Sequence, residues 1–260
     1  MPEYAEAQVT SGVPRVTLVD LHIHTALSAC GSDEMTPPRI LLTAERAGLA
    51  LVGVVDHNTA GNARAVLDAA PAFAVQVLVG LEVESAEGVH VLALFADADA
   101  AAEMDNMVAR HLPGLPNSPE LFGEQTLLNE WGDLAGLDTR LLAAGTDLDL
   151  AGIITATLEL GGLALPAHVN RSASGLLPIL GFVPPGLQAP ALEISRHITP
   201  GEARRQWPEL ANWALLTSSD AHQIADIGAA PTVVPSELAE PGGDPIEWLR
   251  RVADALRPQA

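Results

Sequence analysis

The chain has 260 residues, 48% of them hydrophobic, so it can bury a large core within one domain. Its formal net charge of −20 would repel a polyanion such as nucleic acid from most of the surface. All 13 basic residues are arginines, which excludes chemistry that depends on a Schiff-base lysine or a phosphate-loop lysine.

The first part of the chain alternates short apolar strands with helical segments. RVTLVDLHIH predicts a strand that ends near His24, and TPPRILLTAERAG predicts a helix with prolines at its start and Gly48 at its end. LALVGVVDHN is a buried strand, and the helix NARAVLDAA follows it. AVQVLVGLEVES and GVHVLALFAD are two further strands, and Gly88 between them favours a tight, antiparallel link.

The pattern changes between residues 97 and 161, where Leu, Ala and Asp are frequent and Gly and Pro interrupt the runs. This composition predicts short helices joined by turns. The alternation then resumes with GLALPAHV and the helix SGLLPILGF, with ALEIS and the helix TPGEARRQWPELAN, and with the strand WALLTSSDAH. DPIEWLRRVADALR closes the chain as an amphipathic helix.

Repeated strand–helix units with nearly all-apolar strands indicate an α/β fold, with a mostly parallel sheet and helices outside it. About seven such strands over this length favour a TIM-like barrel, in which functional residues cluster at the carboxyl ends of the strands. We predict a barrel domain formed by residues 1–96 and 162–260. Residues 97–161 are predicted to be a helical insertion that caps the barrel rim.

Polar side chains follow the predicted strands in a consistent way. Six of the eight histidines close or border a strand: His22, His24, His57, His90, His168 and His222. Carboxylates occupy similar places: Asp20, Asp56, Glu82 and Asp220. A lone histidine is usually a hydrogen-bonded core residue, but one multinuclear metal centre explains the whole set more simply than many separate networks.

The spacing also suits metal binding. Residues i and i+2 of a strand face the same way, so His22 and His24 can hold one ion together, as can Asp220 and His222. Asp56 and His57 cannot both point inward from a regular strand. We predict His57 as a ligand and Asp56 as a residue that supports the ligands.

Five motifs, in this order, resemble those of the polymerase-and-histidinol-phosphatase (PHP) family: DLHIHT, GVVDHN, GLEVES, PAHVNR and SSDAH. The resemblance covers nearly the whole chain outside residues 97–161, and that insertion is similar to the one in stand-alone members. It implies a distorted seven-stranded (β/α)7 TIM-like barrel. It also implies two or three divalent metal ions, zinc, manganese or iron, and the hydrolysis of phosphoric esters.

The resemblance implies three sets of metal ligands, and Glu82 bridges the first two. The first set is His22, His24, Glu82 and Asp220. The second is Glu82 and His168 with His90, although His90 is also readable as an ordinary strand residue. The third is His57 and His222.

Cys30 occupies the position where many family members carry a histidine ligand for the third metal. A thiolate is a good zinc ligand, so Cys30 could replace that histidine. Asp33 or Glu34 could do so instead if their loop folds back. The remaining alternative is a small buried cysteine that contacts no metal, which would leave the centre effectively binuclear.

The same resemblance implies that a metal-bound hydroxide, rather than a protein side chain, is the nucleophile. Arg171, three residues after His168, would hold the phosphate, although it is also readable as a surface arginine. Arg196 and His197 follow the ALEIS strand and are predicted substrate contacts, with a loop turn as the alternative. Asp20, like Asp56, is predicted to support the ligand residues.

The predicted function is hydrolysis of small phosphomonoesters or nucleotides. The alternatives are a metal-dependent amidohydrolase, a nuclease or proofreading module acting on nucleic-acid ends, and a catalytically silent metal-binding protein. The absence of lysine disfavours an amidohydrolase with a carboxylated lysine, but Glu82 leaves that reading open. The missing basic groove disfavours a nuclease, and we expect the cap to exclude duplex nucleic acid.

Cellular location is predicted from three features. Cys30 is the single cysteine, so no intrachain disulfide forms. The N-terminal segment MPEYAEAQVT is unlike a signal peptide, and no apolar run approaches the roughly 20 residues of a membrane span. We expect a cytoplasmic protein with no membrane partner. The sequence does not indicate the substrate, the metal or the oligomeric state.

Overall fold

The computed structural model describes residues 16–238 and 243–258. The segment MPEYAEAQVT, which we expected not to be a signal peptide, lies outside these ranges. The strands are β1 (Thr17–Ile23), β2 (Leu49–His57), β3 (Gln76–Glu84), β4 (His90–Phe95), β5 (Thr126–Leu128), β6 (Leu134–Leu137), β7 (Leu163–Pro166), β8 (Leu192–Ile194), β9 (Leu215–Thr217) and β10 (Thr232–Val234). The α-helices are α1 (Pro37–Arg46), α2 (Ala63–Ala69), α3 (Ala98–His111), α4 (Pro119–Phe122), α5 (Leu150–Glu159), α6 (Leu176–Leu180), α7 (Pro200–Gln206) and α8 (Pro245–Leu256).

The main sheet is curled and mixed, with six strands in the order β10-β1-β2-β3-β4-β7. Strands β1, β2 and β3 are parallel, whereas β4 is antiparallel to both β3 and β7, which confirms the predicted antiparallel link. β8 and β9 form a separate parallel pair. The fold is therefore mixed α/β and broadly TIM-like, while a count of seven barrel strands stays a prediction.

A few backbone contacts connect the β8–β9 pair to the main sheet on both sides. The Val169 amide donates to the Glu193 carbonyl at 2.8 Å, next to β7. On the other side, Ile23 forms an isolated parallel bridge with Ala221. These contacts bring the residues that follow β7, β8 and β9 to the same rim as the end of β1.

The helices have recognisable ends and cover the sheet. α1 begins at Pro37 and Pro38, and the chain reverses at Gly48 with φ +72°. The Asp97 side chain caps α3 by accepting from the amides of Asp99 and Ala100. One large buried cluster lies between the helices and the sheet, and a second packs α8 against residues of β1 to β4, β7 and β9. Within the described ranges, no helix is long and apolar enough to cross a membrane.

Residues 97–161 contain more than helices. They include α3, α4 and α5, and also a hairpin formed by β5 and β6 that the sequence analysis did not predict. Strands of three and four residues are too short for their alternation to stand out from a turn-rich segment. α3 and α5 place Met104, Val108 and Ile153 in the main core, so these helices pack with the barrel. The domain boundaries at residues 97 and 161 stay a prediction.

Candidate metal centre

The predicted ligands meet at one end of the curled sheet. His24 follows β1, His57 ends β2, and His168 follows β7. His90 begins β4 rather than ending it, but β4 runs antiparallel to β3, so its first residue lies at the same rim opposite Glu84. Gly80 permits this close pairing, because a Cβ at that position would overlap the carbonyl oxygen of Ala93 on β4.

The Glu82 carboxylate lies at the middle of this cluster and is buried. Its Oε2 atom is 3.0 Å from Nδ1 of His57 and 3.4 Å from Nε2 of both His22 and His24. Its Oε1 atom is 2.7 Å from Nδ1 of His90 and 2.9 Å from Nε2 of His168. Five imidazoles therefore face one carboxylate, and each of its oxygens meets a different subset.

Two polar atoms of the cluster lack hydrogen bonds within the described residues. They are Oε2 of Glu82 and Nδ1 of His168. Nε2 of His22 and Nε2 of His24 also point at each other across 3.1 Å. Buried polar atoms normally form hydrogen bonds, so converging imidazole nitrogens around a carboxylate oxygen that forms none fit a bound cation.

Four groups of side chains bring their ligand atoms within 4.8 Å of one another. The groups are His22, Glu82 and His168; His22, His24 and Asp220; His24, His57 and His222; and His57, Glu82 and His90. Imidazole nitrogens with carboxylate oxygens suit zinc, manganese and iron alike. The predicted histidine and carboxylate ligands are thus all brought together, and their roles as ligands stay a prediction.

Backbone strain concentrates at the same place. Within the described residues, the non-glycine residues with positive φ are Asn58 at +52°, His168 at +29° and Asp220 at +51°. Two of these are candidate ligands, and the third follows His57. Such conformations cost free energy and persist where the surrounding structure imposes them, often at functional sites.

Glu193 is a residue of this site that the sequence analysis missed. It is buried in β8, and its carboxylate lies 3.1 Å and 3.3 Å from Nδ1 of His22. It also accepts weakly from the backbone amide of His168 at 3.4 Å. The available signal was an acidic residue inside the otherwise apolar strand ALEIS. Its contact directs Nε2 of His22 toward Glu82.

Asp56 and Asp20 form hydrogen bonds with the loops that carry the candidate ligands, and their supporting role stays a prediction. The Asp56 carboxylate accepts from the hydroxyls of Thr25 and Ser28, each at 2.7 Å. The Ser28 hydroxyl lies 2.8 Å from Nδ1 of His24, which links Asp56 to a candidate ligand. Asp20 accepts from the amides of Ser219 and Gly228, and burial raises the pKa of its carboxyl group.

Cys30 lies beside the centre, with an exposed side chain. Burial raises the pKa of the thiol, but hydrogen bonds and charges from His222 and His57 outweigh this effect and bring the pKa to about 5. Within the described residues, Cys30, Asp33 and Glu34 belong to none of the converging groups. Glu34 instead pairs with Arg39 at 3.0 Å on the surface. Whether Cys30 binds a metal stays a prediction.

The cluster residues shift one another's pKa values. Burial lowers the pKa of His57, but the Glu82 carboxylate outweighs it and raises the pKa to about 10. The same balance raises the pKa of His90 to about 9. Burial raises the pKa of Glu82, yet the surrounding imidazoles, His22 first, hold it well below its ordinary value. The same nitrogen and oxygen atoms are the ones that would bind a cation.

Two clefts border the cluster on different sides. The insertion cleft, about 370 Å³, contains Cys30, His57, His90, Leu121, Phe122 and Leu142 among its lining residues. The arginine cleft, about 420 Å³, contains His168, Arg171, Arg196, His197, Asp220 and His222 among its own. The structure therefore brings the three predicted substrate contacts to one side of the centre.

The predicted arginines are already paired with acids. Arg171 donates to Oδ2 of Asp220 at 2.9 Å, and Arg196 lies 3.3 Å from Oδ1 of Asp226. His197 is exposed in the loop after β8. His111, to which the sequence analysis assigned no role, pairs with Asp147 on the surface at 2.6 Å.

No sequence-family profile matches the chain. A segment of 88 residues is 34% identical to an uncharacterized protein of Methanocaldococcus jannaschii, and the match covers 31% of this chain and 51% of that protein. The chain thus spans about half the length of this curated relative.

Solved structures share the fold over most of the chain. An endonuclease Q from Pyrococcus furiosus is 21% identical, with a TM-score of 0.57, over 82% of this chain and 51% of that one. A protein from Bifidobacterium adolescentis, named as a metal-dependent phosphoesterase, is 17% identical, with a TM-score of 0.57. The match covers 95% of this chain and 99% of that one. A two-domain protein from Bacteroides vulgatus is 13% identical, with a TM-score of 0.52, and it contains a PHP-like metal-dependent phosphoesterase. The match covers 94% of this chain and 64% of that one. The chain has the PHP fold, as its motifs predicted.

One comparison corrects an expectation. An endonuclease Q complex, 20% identical to this chain with a TM-score of 0.52, holds a 27-mer duplex with an abasic lesion at its active site. The expectation that duplex nucleic acid is excluded is wrong, because it rested on charge averaged over the whole surface and on the insertion as a size filter. In this chain His57, Asp220 and His222 are each about one quarter exposed, so the insertion does not seal the centre.

The fold also occurs outside phosphoester chemistry. An amidohydrolase from Chromobacterium violaceum is 18% identical, with a TM-score of 0.52, over 81% of this chain and 89% of that one. Fold likeness at this level of identity leaves the reaction open, because the reaction depends on the side chains of the site.

Proposed function

We propose that the chain is a metal-dependent phosphoesterase that hydrolyses small phosphomonoesters or nucleotides. The observation that supports this most is the buried Glu82 carboxylate, which faces five imidazoles and retains an oxygen without a hydrogen bond among the described residues. A carboxylate whose two oxygens face different nitrogen donors suits a bridge between cations. Such centres serve phosphoester hydrolysis.

Two or three zinc, manganese or iron ions would be held by the eight converging side chains: His22, His24, His57, Glu82, His90, His168, Asp220 and His222. Bound ions would neutralise charge on the phosphoryl oxygens and lower the pKa of an attacking water. Hydrolysis breaks the bond from phosphorus to the ester oxygen and joins phosphorus to the oxygen of water. The ester oxygen leaves with a proton that water supplies.

The remaining side chains have positioning roles in this proposal. Glu193 holds His22, and Asp56 holds His24 through Ser28. Arg171 and Arg196 would turn from Asp220 and Asp226 toward the phosphoryl oxygens, because guanidinium groups bind phosphate in two-point contacts. Their positions on one side of the cluster favour a substrate whose phosphoryl group faces the arginine cleft.

The test is a panel of phosphorylated small molecules with purified protein that has been stripped of metal and then reloaded separately with manganese, zinc or iron. We expect hydrolysis by at least one reloaded form and none by the stripped form. Full activity in protein that elemental analysis shows to be metal-free would overturn the proposal.

A nuclease acting on nucleic-acid ends or lesions is the second candidate, and the likeness to endonuclease Q favours it. The same panel discriminates if it includes single strands and an abasic duplex. Cleavage of those oligonucleotides with no turnover of small phosphomonoesters would select the nuclease. An amidohydrolase would instead cleave C–N bonds and leave every phosphoester intact.

A further inference from the structure

The two clefts beside the centre differ in their charged groups. The arginine cleft contains two guanidinium groups, those of Arg171 and Arg196, together with the carboxylates of Glu193, Asp220 and Asp226. The insertion cleft has no arginine among its lining residues, and its single carboxylate belongs to Glu84. A phosphomonoester has one anionic end and one organic end. The difference in charged groups between the clefts therefore favours one orientation of a bound substrate.

The neutral polar side chains of the insertion cleft are already used by the protein. The Asn58 amide donates to the carbonyls of Leu142 and Ala144 at 2.9 Å and 3.0 Å, and its oxygen accepts from the Glu84 amide. The Gln125 amide donates to the carbonyls of Asp138 and Arg140, and its oxygen accepts from the Leu142 amide. The amide groups of Asn58 and Gln125 are therefore occupied by backbone hydrogen bonds, and a ligand would contact mainly the apolar atoms of these side chains.

The insertion also adds an apolar rim to this cleft. Leu121 and Phe122, at the end of α4, are 79% and 44% exposed, so each has free surface beside the centre. Leu142 lines the same cleft as a buried residue. This part of the insertion is attached close to the centre, because the Thr126 amide donates to the carbonyl of Ala26 in the loop after β1.

Glu84 supplies the single carboxylate among the lining residues of this cleft. Its side chain is 34% exposed, and its Oε2 atom lies 3.7 Å from Nε2 of His90. A second anionic group on a ligand that lies against Glu84 would be repelled by this carboxylate, and the cleft offers it no arginine; the nearby imidazoles of His57 and His90 are candidate metal ligands.

We propose that the insertion cleft binds the leaving group of the substrate and selects a neutral aromatic group, which packs on Phe122, over an anionic one. This inference rests on the proposed phosphoesterase function. The phosphoryl group then faces the arginines, and the organic group extends toward the insertion. Aromatic rings gain both apolar burial and a favourable edge or face contact with phenylalanine.

Binding of two phosphonates, which cannot be hydrolysed, tests the first part. Calorimetry with manganese-loaded protein should show phenylphosphonate binding about 10-fold or more tighter than methylphosphonate, since a pocket that accommodates a larger apolar group typically discriminates by this factor. Phe122→Ala should remove most of the preference, and Phe122→Leu should retain part of it. Trp131→Ala is the matched control, because Trp131 is an aromatic residue of the same insertion, is 73% exposed and does not line the cleft.

Hydrolysis of phenyl phosphate and 4-carboxyphenyl phosphate tests the second part. Wild-type protein should prefer phenyl phosphate in kcat/KM by about 10-fold, and Glu84→Gln should reduce that ratio to near one. Equal affinity for the two phosphonates, or a preference that survives Phe122→Ala, would overturn the inference and leave the phosphoesterase proposal standing. Absence of turnover of every phosphoester by all metal-loaded forms would instead overturn the proposed function.

Discussion

The Nδ1 atom of His22 lies 3.1 Å from Oε2 of Glu193, although 171 residues separate them in the chain. Both side chains are buried, and the contact fixes the imidazole so that Nε2 faces Glu82 at 3.4 Å. A carboxylate behind a metal-binding histidine both orients the ring and increases its basicity. Glu193 of β8 thus orients His22 of β1, a candidate ligand of the centre.

Glu193→Gln should weaken metal binding by about 10- to 100-fold, because the amide keeps the size of the side chain but loses the charge that orients His22. Competition with a chromophoric chelator measures the affinity. Glu209→Gln, an exposed site elsewhere in the chain, is the control and should bind metal as the wild type does. Unchanged affinity in Glu193→Gln would show that the contact is dispensable.

Glu82→Gln should lose at least one metal ion per chain and most of the turnover. The substitution replaces one anionic oxygen by an amide nitrogen that cannot bind a cation, at the point where five imidazoles converge. Elemental analysis measures the metal content, and hydrolysis of a phosphoester that the wild type cleaves measures the turnover. Glu159→Gln, exposed at the end of α5, serves as the control. Full metal content and rate in Glu82→Gln would refute the bridging role.

Cys30→Ser should lower the occupancy of one metal ion and leave the others in place, because serine keeps the size of cysteine but is a much poorer zinc ligand. Turnover should fall less than in Glu82→Gln. An unchanged metal count, or a sulfur far beyond the roughly 2.3 Å of a Zn–S bond in a metal-loaded crystal structure, would show that Cys30 is a neighbour of the centre and not a ligand.

Metal binding at pH 7.5 should release protons. The pKa values of His57 and His90, about 10 and about 9, lie above the ordinary 6.5, so both imidazoles are protonated beside Glu82 without metal. The protonated imidazoles make their full contribution to the stability of the metal-free protein below about pH 6.5. This contribution is lost as the pH rises through 9 to 10. A metal requires the neutral rings, so its apparent affinity should rise with pH.

Calorimetry in buffers of different ionisation enthalpy counts the released protons. The observed heat should depend on the buffer at pH 7.5, and the metal affinity should be lower at pH 6 than at pH 8. A heat that is the same in every buffer would contradict protonated imidazoles at this site. The exposed pair His111 and Asp147 lies outside the cluster, so His111→Gln should release as many protons as the wild type.

Local sequence was enough to place most candidate ligands at strand ends. The apolar runs before His24, His57 and Glu82 form buried strands, because consecutive apolar residues need cover on both faces of a sheet. The two-residue spacing of His22 and His24 also predicted their convergence, since alternate strand residues face one side. These relationships depend on neighbours in the chain, and the sequence shows them directly.

Only the tertiary structure decided which distant residues complete the site. Glu193 reaches His22 because β8 and β9 lie beside β1 and β7, and no local pattern specifies that arrangement. The insertion likewise appeared to be helical, but it folds partly as a hairpin and contributes Phe122 to a cleft beside the centre. The sequence by itself determined the longer strands and the candidate ligands at their ends, because apolar runs and residue spacing are short-range features of the chain. The curvature of the sheet and the packing of the insertion depend on contacts across the whole chain, so they determined how those ligands are supported and which side chains border them.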